Sequence, residues 1–170
     1  QAHILDLGGR SLDALGSLPH VGSVILPDER GYEERVQQLL AELENSVDER
    51  KRLFGAAGVS TLFEYNQLPG VQPEAAILVL IDNFGEFLET FGDKGQKESS
   101  SSLLSRLVAL VRQAKTYGVH FIISANRLNA LPTSIYSLFT ERYMLRLADT
   151  DDYRSIVGGS VPEIDEVPGR

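Results

Sequence analysis

The feature that most constrains this chain is the run ILVLID at residues 77–82, in which consecutive apolar residues end at Asp82. An apolar run without polar alternation is typical of a strand that is buried on both faces of a parallel sheet. The acid then stands at the carboxyl end of that strand, which is the edge where parallel α/β proteins bind ligands. The run therefore predicts a buried strand that presents one carboxylate to Mg²⁺-bound phosphate groups.

Such a carboxylate normally works with a phosphate-binding loop, whose pattern is glycine, four residues and then Gly-Lys-Ser/Thr. The backbone N–H groups and the lysine of that loop surround the phosphates. The pattern does not occur among the 170 residues. The polar segment 92–102 is not such a loop, because it has no Gly-Lys pair and no buried strand leads into it. We predict that 92–102 is a mobile surface loop.

The composition predicts one globular domain without a membrane-spanning segment. Apolar residues make up 42% of the chain, and no apolar run approaches the roughly 20 residues that cross a bilayer. The 16 basic and 24 acidic residues give a net charge of −8, which disfavours a broad nucleic-acid surface. Cysteine is absent, so disulfides and thiolate metal sites are excluded. Because the chain opens without Met on a strand-like segment, we expect it to be part of a longer polypeptide.

Strands and helices are predicted to alternate along the chain. Short apolar runs predict strands at 3–7, 22–26, 76–82, 119–124 and 143–147. Apolar residues at three- and four-residue spacing predict long helices at 32–56 and 103–117, and brief ones at 61–65, 84–91 and 135–139. This order predicts an α/β sandwich with a mainly parallel sheet.

Right-handed crossovers gather the carboxyl ends of parallel strands along one rim of the sheet. Asp6, Asp82 and Arg127 each follow a predicted strand, so we expect them at the same edge. His120 lies inside a predicted strand and is expected to be a core residue rather than a metal ligand.

Taken in order, the motifs resemble those of the FtsK/SpoIIIE family of P-loop motor ATPases over nearly the whole chain. The stretch LPHV at 18–21 is similar to the family's IPHL, and ERKRLF at 49–54 to its ERRYxL helix. The segment LIDNFGEF at 80–87 is similar to LIDEFADL, the family's Walker B segment, and AKTYGVHFIISANR at 114–127 to ARxxGIHLVLATQR. The resemblance implies a RecA-like three-layer α/β sandwich, spanning 1–170 and incomplete at its N-terminus, where the phosphate-loop strand and helix would precede Gln1.

Within the family, the chain resembles the EssC/EccC-type motors of type VII secretion more than the DNA translocases. The translocases usually carry Thr-Gln-Arg where this chain has Ala125-Asn126-Arg127. The resemblance implies a parent ATPase that uses ATP and Mg²⁺ and is anchored at the cytoplasmic face of the cell membrane by segments outside this chain. Its partners would be other ATPase domains of the same chain or of a hexameric ring, and a secreted protein substrate. Two alternatives stay open: an inactive module that recognises the signal of a secreted polypeptide, and a double-stranded DNA translocase.

The resemblance also assigns roles to individual residues. Asp82 would hold Mg²⁺ through water, and Asn126 with Arg127 would contact the γ-phosphate as a sensor pair. Arg142 would face the nucleotide of a neighbouring subunit. The plainer alternatives are that Asp82 caps the following helix and that 126–127 is only a turn. For Arg142 the alternative is a surface ion pair with Glu141 or Asp149.

Asn83 departs from the family pattern, because active motors carry at that position the glutamate that activates the attacking water. Asparagine can hydrogen-bond water but cannot take its proton, and loss of such a base typically lowers the rate about 10²- to 10⁴-fold. Together with the missing phosphate loop, this substitution predicts that the chain alone is inactive and binds no nucleotide tightly.

Overall fold

A computed structural model describes residues 1–92, 102–127, 130–145 and 156 of the chain. Its strands are β1 (Ala2–Asp6), β2 (Val21–Ile25), β3 (Ile77–Asp82) and β4 (Val119–Ile123). Its α-helices are α1 (Tyr32–Ala56), α2 (Leu62–Asn66), α3 (Phe84–Phe91), α4 (Leu103–Ala114) and α5 (Thr133–Tyr136), and 3-10 helices span Asp13–Ser17 and Lys115–Tyr117. The four strands form one sheet in the order β2-β1-β3-β4, and every neighbouring pair is parallel.

The predicted parallel α/β architecture is confirmed, with differences at particular elements. The 3-10 helix Asp13–Ser17 was not predicted, because so short an element shows no apolar periodicity. The strand predicted at 143–147 is wrong for Tyr143, Met144 and Leu145, which form no ladder with the described strands. Residues 146–147, and nearly all of the loop predicted at 92–102, lie outside the described residues.

The two faces of the sheet are covered unequally. In β3 the side chains of Ile77, Val79 and Ile81 are buried against α1, α3 and α4, whereas those of Leu78 and Leu80 are only half-buried. Burial on both faces was therefore the wrong expectation for β3, because α1, α3 and α4 cover one of its faces. All five residues of β1, by contrast, are buried. The 3-10 helix Asp13–Ser17 packs beside β2 on the other face.

The uncovered surface continues into β4. Ile122 is 55% exposed and His120 is exposed as well, so the prediction of a core histidine at 120 is wrong. By contrast His3 in β1 is buried, with its Nδ1 2.9 Å from the Ser23 hydroxyl. Burial lowers the pKa of His3, which favours the neutral imidazole inside the fold.

The two edges of the sheet also differ. The Arg35 guanidinium on α1 donates to the Val24 carbonyl of edge strand β2 at 3.0 Å and pairs with Glu29. A backbone carbonyl at this edge is thus already satisfied. The outer edge of β4 pairs with no strand among the described residues. No helix in the described ranges has both the length and the apolar content needed to cross a membrane.

Helix α1 contributes the largest apolar face to the core. Its buried positions recur every three or four residues along 25 residues, which is the spacing of a helix that packs on a sheet. Arg106 on α4 donates two hydrogen bonds to the Glu44 carboxylate on α1, at 3.0 and 2.7 Å, and so joins the two long helices. The hydrogen bond with Glu44 raises the pKa of Arg106 above the usual value for an arginine.

Arg50 is a buried charge that connects three segments of the fold. Its side chain extends from α1 and is only 8% exposed. The guanidinium donates to the carbonyl oxygens of Tyr117, at 2.7 Å, and of Ala75, at 2.6 Å, and lies 3.4 Å from the Glu74 carboxylate. Since Ala75 precedes β3 and Tyr117 precedes β4, this one side chain holds the entry points of both strands against α1.

Replacing Arg50 by Met is expected to destabilise the fold by about 3 kcal/mol, because two carbonyl groups lose a charged donor at a site with little access to water. Arg52→Met, two residues along the same helix, is the matched control, since Arg52 is exposed. That change should cost less than about 0.5 kcal/mol. Urea unfolding followed by circular dichroism measures both values, and equal losses would contradict the role given to Arg50.

Candidate functional site

The candidate site lies where three neighbouring strands end. Asp6 and Asp82 are paired in register as the last residues of β1 and β3, and Ser124 follows β4 directly. The segments 6–12, 82–84 and 124–127, which we call the strand-end rim, therefore meet at the carboxyl edge of the sheet. Asp6 and Asp82 thus lie at the same edge of the sheet, as predicted.

The Asp82 carboxylate is held between two hydroxyl groups from the flanking loops. The Ser124 Oγ donates to Oδ1 of Asp82 at 2.5 Å, and the Ser11 Oγ lies 3.4 Å from Oδ2. Gly8 approaches so closely that a Cβ at that position would overlap Oδ2. Asp82 does not cap α3, so the alternative reading as a helix cap is wrong. Its side chain is instead fixed in one orientation, half-buried, at the rim.

Ser124 joins the ends of β3 and β4. Besides donating to Asp82, its hydroxyl oxygen accepts the Asn83 backbone N–H at 2.9 Å. Its own backbone N–H donates to the Ile81 carbonyl, and its carbonyl accepts from Phe84. No role was predicted for Ser124 from the sequence. The available signal was its position, since it is the first polar side chain after the apolar run of β4.

Asn83 adopts a left-handed backbone conformation, with φ of 57°. A side chain other than glycine is unfavourable there by roughly 1 to 2 kcal/mol, and asparagine tolerates it best. The Asn83 side chain forms no capping bond with α3 although it occupies the N-cap position. Asparagine thus suits the backbone at the turn between Asp82 and α3.

Asp6 is fully buried beneath the loop that follows β1. Its Oδ2 accepts the Leu12 backbone N–H at 2.7 Å, whereas its Oδ1 is buried without a hydrogen-bond partner among the described residues. An unpaired buried carboxylate oxygen is costly, about 1 to 3 kcal/mol or more. This cost marks the position as one where stability alone does not explain the residue.

The other predicted site residues do not contact Asp82. Asn126 and Arg127 follow β4 with exposed side chains, which form no hydrogen bond or ion pair with another described residue. The Arg142 guanidinium lies 3.9 Å above the Tyr136 ring and donates to the Tyr136 carbonyl at 3.3 Å. Within the described residues it forms no ion pair with Glu141; Asp149, the other acid considered, lies outside them. The sensor and subunit-facing roles stay predictions.

The donors at the rim fit a magnesium ion held through water. Asp82, Ser11 and Ser124 offer carboxylate and hydroxyl oxygens, which are the ligands that Mg²⁺ prefers. In the part of the chain that the structure describes, no three His, Cys, Asp or Glu side chains cluster as a metal cage. One carboxylate is what Mg²⁺ needs when it keeps most of its waters and is bound together with phosphates.

Comparisons with known proteins identify the family to which the chain is similar. The sequence profile of the FtsK/SpoIIIE family matches residues 2–164. The ESX-4 secretion system protein EccC4 of Mycobacterium tuberculosis is 32% identical over 155 residues, which cover 89% of this chain and 12% of that protein. The chain spans 10 to 12% of the length of the first curated relatives that it matches.

Solved structures share the fold. EssC (ATPases 2 and 3) from Geobacillus thermodenitrificans superposes with a TM-score of 0.84 at 22% identity, covering 100% of this chain and 30% of that one. Thermomonospora curvata EccC (ATPases 2 and 3), in complex with a signal sequence peptide, superposes with a TM-score of 0.66 at 24% identity, covering 81% and 24%. These likenesses confirm the RecA-like ATPase fold.

Replacing Ser124 by Ala is expected to destabilise the fold by about 1 kcal/mol, because Asp82 loses a charge-assisted hydrogen bond and the Asn83 N–H loses its acceptor in a partly solvated position. Ser124→Thr retains the hydroxyl group and should recover most of the loss. Ser134→Ala on α5 is the control, since that residue is exposed. Denaturant unfolding measures the three values. If the alanine and threonine variants were equally destabilised, the hydroxyl group of Ser124 would not be the source of the stabilisation.

Proposed function

This chain belongs to the FtsK/SpoIIIE family, and from that premise we propose that it forms part of an ATPase domain of a type VII secretion motor. The observation that supports the proposal most is the position of Asp82: a carboxylate fixed between two hydroxyl groups at the end of the central strand β3. In parallel α/β ATPases this is the place from which an acid reaches the metal ion of the nucleotide.

Each rim residue has a defined part in this proposal. Bound ATP with Mg²⁺ would supply the γ-phosphoryl group whose transfer to water releases free energy. Asp82 would hold the metal's water in the orientation that Ser124 imposes on its carboxylate. Asn126 and Arg127, both exposed after β4, would donate hydrogen bonds to the γ-phosphate.

With asparagine at position 83, we expect the domain to hydrolyse ATP slowly or to have a regulatory role. The Asn83 amide can orient a water molecule but cannot accept the proton that the reaction releases. The left-handed backbone at 83 adds a second obstacle, because glutamate is less favourable than asparagine at φ of 57°. Nucleotide binding at this rim would then serve to signal occupancy to neighbouring domains more than to drive turnover.

The outer edge of β4 is where we place the missing phosphate loop. The β2 edge is already engaged by Arg35, whereas β4 pairs with no strand among the described residues and carries the exposed Ile122 beside it. A further strand and helix from outside these 170 residues would complete the sheet there and cover the open face. A parallel strand added at β4 would end at the same rim as Asp82, which supports this placement.

Partners and location follow from the same proposal. The other ATPase domains of the parent protein, arranged in a hexameric ring, would bring a neighbouring nucleotide to Arg142. The translocated substrate would be a secreted polypeptide, and membrane segments outside this chain would hold the motor at the cytoplasmic face of the membrane. The related Thermomonospora curvata protein has been solved with a signal sequence peptide, which supports a polypeptide substrate. The net charge of −8 disfavours the alternative of a DNA translocase.

Calorimetry with Mg²⁺ and ATP tests the proposal on two proteins. The 170 residues alone should show no micromolar binding, because their sequence contains no phosphate loop. In the full-length protein that contains this chain, Asp82→Asn should remove or weaken at least tenfold one class of nucleotide sites, since the metal's water loses a charged acceptor.

Asp48→Asn in the same full-length protein is the matched control, because Asp48 is an exposed acid on α1 whose described partners, Lys51 and Arg52, lie on the same helix. It should leave the number and affinity of nucleotide sites unchanged. Unaltered nucleotide binding in the Asp82→Asn protein would rule out a metal-holding role for Asp82, and tight binding by the 170 residues would refute an external phosphate loop.

A further inference from the structure

The loop between β1 and the first 3-10 helix lies directly on the Asp82 carboxylate. We call residues 7–12 the glycine loop. The Leu7 N–H donates to the Asp82 carbonyl at 3.3 Å, Gly8 is in contact with Oδ2, and Ser11 directs its hydroxyl group at the same oxygen. The loop thus forms one wall of the place that Asp82 occupies, opposite the wall formed by Ser124.

The backbone of the glycine loop is not in a relaxed conformation. Gly9 has φ of 106° and Arg10 has φ of 68°, so two consecutive residues are left-handed. For Arg10 this conformation is unfavourable, and such strain persists only where surrounding contacts maintain it. The ion pair of Arg10 with Asp28 joins two exposed side chains and contributes little.

The contact that can maintain the loop is made by Asp6. Its buried carboxylate accepts the Leu12 N–H at 2.7 Å, across the base of the loop from the end of β1 to the start of the 3-10 helix. A hydrogen bond in a buried place does not compete with water, so it can hold the two ends of the loop together. Asp6 therefore closes the loop, and the closed loop places Gly8 and Ser11 against Asp82.

We propose that Asp6 is a positioning residue for Asp82, and that it acts through the glycine loop without touching the nucleotide or the metal. Three observations carry the inference: the register that sets Asp6 beside Asp82, the hydrogen bond that closes the loop, and the absence of room for a Cβ at Gly8. The Oδ1 of Asp6 is buried without a hydrogen-bond partner in the described structure, which lowers the stability of the fold. Stability alone therefore does not explain an aspartate at this position. Only the expected effect on nucleotide binding rests on the proposed function.

The orientation of Asp82 can be followed without any nucleotide. In the 170-residue chain labelled with ¹³C at aspartate Cγ, the Asp82 signal is assigned as the one that Asp82→Asn removes. Asp6→Ala should shift that signal by more than its width, because the loop opens and Oδ2 loses Ser11 and the contact with Gly8. Asp6→Asn should leave it close to its original position, because an amide oxygen can still accept the Leu12 N–H. An unshifted signal in Asp6→Ala would overturn the proposal.

Gly8→Ala provides an independent variant in case the loss of Asp6 unfolds the chain. Gly8 has no left-handed φ, so alanine brings no backbone strain of that kind; its methyl group instead pushes directly against Oδ2 of Asp82. It should shift the Asp82 signal while Asp6 is intact. Gly55→Ala is the matched control, because a Cβ at Gly55 meets nothing within 4 Å. Equal spectra for the Gly8 and Gly55 variants would refute the contact on which the inference depends.

The consequence for nucleotide is measured in the full-length protein with Mn²⁺ and ATP, by electron paramagnetic resonance. Asp6→Ala and Gly8→Ala should each weaken binding at this site about tenfold, while Asp6→Asn should stay within about threefold of the unaltered protein. If the Asp82 signal shifts as expected but Asp82→Asn itself leaves Mn²⁺-ATP binding unchanged, the proposed function fails and the positioning role stands. If Asp82→Asn weakens binding and Asp6→Ala does not, the positioning role fails alone.

Discussion

Everything at the strand-end rim depends on one carboxylate being held still. Asp82 would be free to rotate if it merely ended a strand, because a half-buried aspartate has several accessible rotamers. Ser124 on one side and the glycine loop on the other remove that freedom. An acid that must hold a metal's water gains from such restraint, because orientation is then established before the ligand arrives. The pairing of a fixed acid with two flanking hydroxyl groups is what makes this edge the candidate site.

The scaffold beneath the rim explains why the restraint is precise. Asp6 and Asp82 end two neighbouring parallel strands, and Ser124 directly follows a third. Backbone hydrogen bonds set the register of these strands, so the positions of the three residues along the strand direction cannot vary independently. Arg50 holds the opposite ends of β3 and β4 against α1, far from the rim. The same strands are thus fixed at both ends, by a buried guanidinium at one and by side-chain hydroxyl groups at the other.

Features of the fold that depend on the local sequence pattern were predicted, whereas features that depend on neighbours in space were missed. Helix α1 and strand β3 follow from apolar spacing alone, and the convergence of Asp6 with Asp82 follows from the handedness of parallel connections. The exposure of His120 and Ile122 could not be read from β4, because an apolar strand looks the same whether or not a second layer covers it.

The contacts of Ser124, Ser11 and Gly8 with Asp82 were equally out of reach for sequence reasoning, since they join residues that lie 42, 71 and 74 positions apart along the chain. Serine and glycine are common in loops, and nothing in their spacing marks these particular ones. The resemblance allowed Asn83 to be interpreted as a lost catalytic base. Its left-handed backbone, which also favours asparagine at this position, could not be predicted from the sequence.

If the segments around Asp82 surround the metal ion of a bound nucleotide, radicals formed at that metal will cut those segments. Fe²⁺ can replace Mg²⁺ in the full-length protein with ATP. Added hydrogen peroxide then oxidises the bound Fe²⁺ to Fe³⁺ and is reduced to hydroxide and a hydroxyl radical, which cuts the backbone close to the metal, while ascorbate returns the iron to Fe²⁺. Mass spectrometry of the fragments should show ATP-dependent cuts within the three segments of the strand-end rim, at 6–12, 82–84 and 124–127. ATP-dependent cuts confined to other parts of this chain, with the rim intact, would contradict the account.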